Sequence, residues 1–127
     1  MPRIVLHLLA GEFAVCRLAP EEPVPAWAGS GVYSGAIRAP GELTVVCPAD
    51  QVPADVRHEG GWRILRFEGP FSFTDTGVLS AALAPLAAAG IPILAQSTFD
   101  TDFLFIKSAD LMRAIEALAG AGHAIRL

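Results

Sequence analysis

A short polar stretch in the second half of the chain carries the side chains best suited to binding chemistry. Residues 97–102, Ser-Thr-Phe-Asp-Thr-Asp, hold two carboxylates and three hydroxyls. We call this stretch the 97–102 motif. Apolar runs flank it at residues 91–95 and 103–106. Because two apolar runs around a short polar turn indicate a β-hairpin, we expect these polar groups to lie together at one hairpin end.

The polar side chains of the motif allow two interpretations. Asp100 or Asp102 could accept hydrogen bonds from an amino group or a basic side chain, with Ser97 and Thr98 as further partners. Alternatively, aspartates and hydroxyls at a hairpin end bond their own backbone and close the turn. At least one of the two aspartates is expected to be structural.

A second stretch, residues 74–79, precedes the first predicted helix. The unpaired N–H groups and the dipole at a helix start suit a carboxylate. Gly77 lets a ligand approach the backbone because it has no Cβ. The alternative is an ordinary helix start, capped by Thr74 or Asp75.

Catalytic and cofactor chemistry has little support in the sequence. A carboxylate pair can act as acid and base, but no nucleophile or base elsewhere is matched to Asp100 and Asp102. The histidines, His7, His58 and His123, lack metal-ligand spacing, and we expect them at the surface or at sheet edges. A glycine-rich phosphate loop with its lysine is also missing. We therefore expect a protein that is not an enzyme and needs no metal or cofactor.

The charge balance limits the partners. Nine Lys and Arg against thirteen Asp and Glu give a formal net charge of −4, and no basic run occurs. This argues against nucleic acid and an anionic membrane surface as partners. Hydrophobic residues make up 53% of the chain, enough for a sizeable core. Cys16 and Cys47 lie in apolar runs and are expected to be buried thiols of a cytoplasmic protein.

Two apolar stretches bear on membrane association. Residues 76–99 carry no charge and could cross a bilayer by length, but Pro85, Gly90 and Pro92 interrupt them. A helix, a turn and a buried strand explain the stretch better. Residues 1–10 resemble a weak signal peptide, but their apolar part is short. We expect neither a membrane span nor a cleaved leader.

The first half of the chain is rich in predicted strands. Four are expected, at residues 4–9, 13–18, 32–39 and 42–47. They pair in chain order as two hairpins, and Pro40-Gly41 forms the turn of the second. Gly60-Gly61 marks a change in composition. We place a boundary there, which divides the chain into residues 1–59 and 60–127.

The second half alternates strands and helices. The expected elements are a strand at 62–67, a helix spaced on apolar residues from Leu79 to Ala89, strands at 91–95 and 103–106, a helix after Ser108 and a strand at 124–127. Gly90 is expected to end the first helix. The order βαββαβ is the ferredoxin-like arrangement of an α+β fold, with a four-stranded antiparallel sheet.

Several of these residues resemble a known family. Residues 97–103, Ser-Thr-Phe-Asp-Thr-Asp-Phe, resemble a signature of small proteins with two ACT domains. Such proteins are related to the regulatory domains of aspartokinases and to the CASTOR-type arginine sensors of animal cells. Residues 60–73 and 76–80 resemble the opening strand and helix start of a late-branching ACT domain. Residues 33–48 are similar to the first-half signature of the same proteins.

The resemblance implies a fold and a role. It implies an ACT domain at 60–127 and a strand-rich, degenerate ACT-like half at 1–59. It also implies a small effector, an amino acid or a similar molecule, coupled to allosteric regulation. The effector would be bound at an interface between ACT units, either the two halves of one chain or the subunits of a homodimer. Phe99 and Phe103 stand where tyrosines are common, so the resemblance does not identify the amino acid. The ligand-binding residues expected from the motif and the helix start are Thr76, Gly77, Val78, Leu79, Ser97, Thr98, Asp100 and Asp102.

Two other functions remain open from the sequence. One is a dimerisation or interaction module without a small ligand, in which Phe71, Phe73 and Phe99 fill the site. The other, less favoured, is an enzyme that uses Asp100 and Asp102, which would require an open pocket with a third catalytic group.

Overall fold

The computed structural model describes residues 2–127, which form two compact units. One unit comprises the described residues up to Leu9 together with Arg63–Leu127, and the other comprises Ala10–Trp62. The strands and helices are β1 (Val5–Leu8), β2 (Phe13–Leu18), β3 (Gly35–Ala39), β4 (Glu42–Pro48), β5 (His58–Phe67), α1 (Val78–Ala88), β6 (Leu94–Ser97), β7 (Asp102–Lys107), α2 (Leu111–Gly120) and β8 (Ala124–Arg126). The predicted α+β fold class is confirmed.

The unit that contains the C-terminus has the predicted βαββαβ order with one additional strand. Within it, β7 pairs with β6 and with β5, and β1 lies between β5 and β8. β1 is antiparallel to β5 and parallel to β8. The sheet of this unit therefore has five strands, where four were expected. β1 is an interior strand of this sheet, and Ile4 and Leu6 are buried in the core of the unit.

The helices pack on one side of this sheet and enclose the core. Leu65 and Phe67 of β5 and Leu104 and Ile106 of β7 belong to one apolar cluster. The same cluster includes the buried faces of both helices, Ala81, Ala82, Leu86, Ala114 and Leu118. Because side chains alternate along a strand, the residues between these β5 and β7 positions lie on the other face of the sheet.

Helix α1 starts and ends on glycines. Gly77 is its N-terminal cap residue, with a φ of +76° and no side-chain cap. The prediction that Thr74 or Asp75 caps the helix is wrong, because Asp75 instead accepts a hydrogen bond from the Ser72 N–H at 2.8 Å. At the other end, Gly90 adopts a φ of +71° directly after the helix, as expected of a terminating glycine.

A histidine compensates for the proline inside α1. Pro85 has no N–H to donate to the Ala81 carbonyl one turn earlier. The ring nitrogen Nε2 of His123 lies 2.8 Å from that carbonyl oxygen, and Nδ1 lies 3.0 Å from the Ile4 nitrogen. Nε2 therefore donates and Nδ1 accepts, which fixes a neutral tautomer. The surface position predicted for His123 is wrong, since its exposed fraction is only 7%.

The unit Ala10–Trp62 is built on β2, β3, β4 and the first part of β5. β3 and β4 form the predicted hairpin around Gly41, which has a φ of +88°. The predicted hairpin of residues 4–9 and 13–18 is wrong, because β2 pairs with β4 and β5. Cys16 and Cys47 are free and buried, as predicted. Burial and the neighbouring Cys47 raise the pKa of Cys16 to about 11, and burial also raises the pKa of Cys47.

Gly60-Gly61 lies inside β5. The register of β2 against β5 shifts between Phe13, opposite Trp62, and Val15, opposite Glu59. One extra residue stands on the β5 side, and Gly61 has a φ of +76°. The glycines thus accommodate a β-bulge within a strand. The compact units differ from the division into 1–59 and 60–127, and the ACT-like character of the first half stays a prediction.

The uncharged stretch at residues 76–99 contains the whole of α1, the turn after it and β6. Across residues 2–127, no helix is long and apolar enough to cross a membrane.

Candidate ligand site at the turn between β6 and β7

The 97–102 motif forms a tight hairpin end. Ser97 pairs with Asp102, so residues 98–101 make the turn. The Thr98 N–H donates to the Thr101 carbonyl at 2.8 Å, and the Thr98 hydroxyl lies 3.2 Å from the same oxygen. The Thr101 hydroxyl donates to the Phe67 carbonyl at 2.7 Å and thereby ties the turn to the end of β5. Thr98 and Thr101 are therefore used in turn formation.

The two aspartates of the motif differ in their partners. Asp102 Oδ1 accepts a hydrogen bond from the Ser97 hydroxyl at 2.5 Å, which closes the first pair of the hairpin. The carboxylate of Asp100 is exposed and has no hydrogen bond or ion pair within residues 2–127. Only its backbone carbonyl is engaged, by the Phe71 N–H at 2.8 Å. Asp100 is thus the aspartate whose carboxylate is available for a ligand.

A cavity of about 250 Å³, cavity 1, lies between the motif and the start of α1. All six motif residues line it, together with Phe71, Ser72, Phe73, Asp75 and Val78. Of the expected ligand-binding residues, Val78, Ser97, Thr98, Asp100 and Asp102 therefore line one cavity. The other three, Thr76, Gly77 and Leu79, adjoin Val78 in the chain but do not line it.

The loop before α1 supplies the lining residues that the sequence did not predict. Ser72, Thr74 and Asp75 hold the loop through their own hydrogen bonds, including Ser72 Oγ to Thr74 Oγ1 at 2.8 Å. This short polar loop has no periodicity, so its orientation towards the motif could not be read from the sequence. Clustered Ser, Thr and Asp signalled only that a loop lies there.

Two phenylalanines mark the rim of cavity 1. The rings of Phe73 and Phe99 meet edge to face, with centroids 5.1 Å apart and an interplanar angle of 83°. Both side chains are nevertheless exposed, with fractions of 77% and 80%. The hydrocarbon surface left in water makes this pair a candidate contact for another molecule.

The electrostatics of cavity 1 combine acidic side chains with a helix start. Asp75, Asp100 and Asp102 line it, and no lining residue is basic. This arrangement favours an ammonium group. Helix α1 begins at Val78 without a side-chain cap, and the first N–H groups of a helix lack partners within it, which favours a carboxylate. The cavity is complementary to a small molecule with both charges.

A second cavity, cavity 2, of about 460 Å³ adjoins the same turn. Thr98, Asp100 and Thr101 line it as they line cavity 1, and Arg66, Gly69, Pro70 and Phe103 complete it. The end of β5 approaches the turn closely here, since a Cβ on Gly69 would lie 3.0 Å from the Asp100 carbonyl oxygen. Within residues 2–127, no group of three or more His, Cys, Asp or Glu side chains could hold a metal ion.

Comparisons with known families divide the chain much as its units do. A family model described as the ACT domain matches residues 57–120, about half of the chain. A second family model, described as an N-terminal domain, matches residues 11–55. No curated protein matches the chain.

Solved structures similar to this chain include a close relative and regulatory domains. A crystal structure of a protein from Agrobacterium tumefaciens is 42% identical, with a TM-score of 0.93, and the match covers 98% of this chain and 93% of that chain. The ligand-free regulatory subunit of aspartate kinase from Thermus thermophilus has a TM-score of 0.60 at 13% identity, covering 89% and 93%. Aspartate kinase from Clostridium acetobutylicum has a TM-score of 0.67 at 9% identity, covering 95% and 35%. The last two are similar to this chain in fold.

Proposed function

This chain belongs to the ACT domain family, and from that membership we propose that it is a non-catalytic regulatory protein whose effector is a free amino acid. The resemblance noted at residues 97–103 is thereby confirmed at the level of the family. ACT domains are regulatory modules, which supports a regulatory role. Cavity 1 supports an amino acid as the effector, because a helix start without a side-chain cap and the unpaired carboxylate of Asp100 both border it.

The two charged ends of the effector have separate partners in this proposal. Its carboxylate accepts hydrogen bonds from backbone N–H groups at the start of α1, beside Gly77 and Val78. Its ammonium group donates to Asp100, whose carboxylate has no partner among residues 2–127. Ser97 and Asp102 hold the hairpin end in place through their 2.5 Å hydrogen bond. Expected ligand contacts at Thr76, Gly77, Leu79 and Thr98 stay part of the proposal.

A second copy of the chain completes the site in this proposal. Phe73 and Phe99 expose most of their surface at the rim of cavity 1, where an ACT–ACT interface of a cytoplasmic homodimer would cover them. An effector enclosed there would bind more tightly to one packing of the subunits than to another. Such differential affinity is what shifts a conformational equilibrium and makes binding regulatory.

A thermal-stability screen against the common amino acids tests the proposal. A ligand that binds only the native state stabilises it by about 2.7 kcal/mol at a hundred times its Kd. For a chain of this size that raises the melting temperature by roughly 10 °C. We expect at least one amino acid to do so in a concentration-dependent manner. Well-folded protein that responds to none of them would contradict the proposal.

The exposed aromatic pair favours a second candidate function, an interaction or dimerisation module without a small ligand. In that case Phe73 and Phe99 bind a partner directly and cavity 1 is covered rather than occupied. The amino-acid response of the wild-type protein separates the two functions, because only the first predicts one. The variant Phe99→Ser would abolish the association in either case and tests the interface that both functions share.

A further inference from the structure

Two oppositely charged side chains without protein partners line cavity 2. Neither the Arg66 guanidinium nor the Asp100 carboxylate forms a hydrogen bond or ion pair within residues 2–127. Charged groups elsewhere in the same unit do pair, as His7 does with Glu68 at 2.8 Å and Arg113 with Asp110 at 3.2 Å. Arg66 and Asp100 are thus opposite charges that line the same cavity without pairing with each other.

The strand register places Arg66 on the face of the sheet opposite the helices. Its neighbours Leu65 and Phe67 are fully buried in the helix-side core, so the side chain between them points the other way. Phe103 precedes the core residue Leu104 in β7 and lies on the same face as Arg66 by the same alternation. Arg66 and Phe103 are thus carried on the same face by two paired strands of one sheet, which fixes the backbone from which both side chains extend.

We propose that cavity 2 is a second binding site for a free α-amino acid, held by Arg66 through its carboxylate and by Asp100 through its ammonium group. A guanidinium can bind a carboxylate with two parallel hydrogen bonds, and a carboxylate is a strong acceptor for an ammonium group. One positive and one negative group match a zwitterion. Asp100 would repel the second carboxylate of a dicarboxylate, and Arg66 would repel the second ammonium group of a diamine, so both ligands are disfavoured.

The size and the remaining walls of cavity 2 fit an amino acid with an apolar side chain. Its volume of about 460 Å³ lies within the usual range of small-molecule sites, roughly 300–1,000 Å³. Phe103 and Pro70 provide apolar surface beside the charged pair. Because Asp100 lines both cavities, one ammonium group at a time can use it, and ligands in the two cavities compete for that carboxylate.

The inference shares its ligand class with the proposed function, so its test must locate the ligand. Backbone amide NMR shifts of labelled protein do this during titration with L-leucine. Gly69 and Phe103 line only cavity 2, whereas Ser97 and Val78 line only cavity 1. We expect saturable shifts at Gly69 and Phe103. Shifts confined to Ser97 and Val78 would overturn this inference and leave the proposed function standing. Shifts confined to Gly69 and Phe103 would support this inference and contradict binding in cavity 1.

Two matched sets of controls sharpen the result. Replacing L-leucine by 4-methylpentanoate, which lacks the ammonium group, or by 3-methylbutylamine, which lacks the carboxylate, should remove the saturable shifts at Gly69 and Phe103. Arg66→Gln should weaken L-leucine binding in cavity 2 at least about tenfold. Arg126→Gln, the same change at an exposed arginine of β8, should leave this binding unchanged. If Arg66→Gln does not fold, Arg66→Lys, which keeps the charge but loses the planar fork, should still weaken binding. Unchanged binding in the folded Arg66 variant, or equal binding of either analogue, would overturn the proposal.

Discussion

Asp100 and Asp102 are two residues apart, yet the structure gives them different roles. The Asp102 carboxylate already accepts the Ser97 hydroxyl, whereas the Asp100 carboxylate has no partner in the described chain, residues 2–127. The sequence could predict that at least one of them is structural, but it could not say which. Only the register that sets Ser97 opposite Asp102 decides the matter.

The first prediction concerns the stability of variants at these two positions. Asp100→Ala should change the free energy of unfolding by less than about 0.5 kcal/mol, because it removes an exposed group without a protein partner. Asp102→Ala should lower it by about 1 kcal/mol, because it removes the acceptor of the Ser97 hydroxyl. Urea unfolding measures both. A larger loss for Asp100→Ala than for Asp102→Ala would contradict the assignment.

The second prediction concerns the thiols Cys16 and Cys47. Burial raises the pKa of both, that of Cys16 to about 11, so each remains a protonated thiol at pH 8. Native protein should therefore resist iodoacetamide at pH 8 and also at pH 9, while protein unfolded in urea should be modified at both sites. Mass spectrometry measures the modification. Rapid labelling of the native protein at pH 8 would contradict the buried environment.

At the scale of elements, helix α1 continues through Pro85 because a residue distant in the chain, His123, donates the hydrogen bond to Ala81 that proline cannot donate. A proline inside a helix is recognisable in the sequence, and a kink or a shortened helix is the natural expectation. The donor that replaces its N–H, His123, lies after the last helix. Sequence periodicity describes local faces of elements, so it could not indicate this long-range partner.

A double-mutant cycle tests this compensation. His123→Ala should lower the free energy of unfolding by roughly 2–3 kcal/mol, because it leaves the Ala81 carbonyl and the Ile4 N–H unpaired. In the Pro85→Ala background the loss should be about 1 kcal/mol smaller, since residue 85 then donates to Ala81 itself. Urea unfolding of the four proteins gives the coupling energy. Strictly additive effects would mean that His123 does not replace the missing donor.

Strand β1 is the second element whose place depends on long-range pairing. Its apolar residues predicted a strand correctly, but the residues that pair with it in β5 and β8 are 57 or more positions away in the chain. Leu6→Ala should therefore lower the free energy of unfolding by roughly 2–5 kcal/mol, as expected for a fully buried leucine. Leu94→Ala on the exposed side of β6 is the matched control and should change it by less than about 1 kcal/mol. Similar effects of the two changes would contradict the interior position of β1 between β5 and β8.

At the scale of the whole molecule, the sequence predicted the family and the βαββαβ order because both rest on local signals. Apolar runs, Pro40-Gly41 and Gly90 predicted the β3–β4 hairpin and the end of α1, and the 97–102 motif predicted the turn between β6 and β7. The boundary placed at Gly60-Gly61 stays a prediction, but the pair lies inside β5, where glycines serve a β-bulge as readily as they serve a boundary. The sequence did not indicate a binding role for Arg66, because a charged residue between apolar residues is typical of any half-buried strand.

The homodimer is the prediction that belongs to this scale. Sedimentation velocity of the wild-type protein should show a dimer, and Phe99→Ser should shift the equilibrium towards the monomer by removing exposed apolar surface at the rim of cavity 1. Ile37→Ser, which changes an exposed apolar residue of β3 instead, is the matched control and should leave the dimer intact. If Ile37→Ser abolished the dimer and Phe99→Ser did not, the interface would not lie at the rim of cavity 1.

The central claim is that the Asp100 carboxylate binds the ammonium group of a free amino acid. Its most direct test is calorimetric titration of the wild-type protein and of Asp100→Asn with the amino acid that gives the largest rise in melting temperature. Loss of a charge-assisted hydrogen bond predicts binding at least about tenfold weaker in Asp100→Asn, with unchanged affinity in Asp110→Asn as a control for the charge. Equal affinity of the wild-type protein and folded Asp100→Asn would contradict the claim.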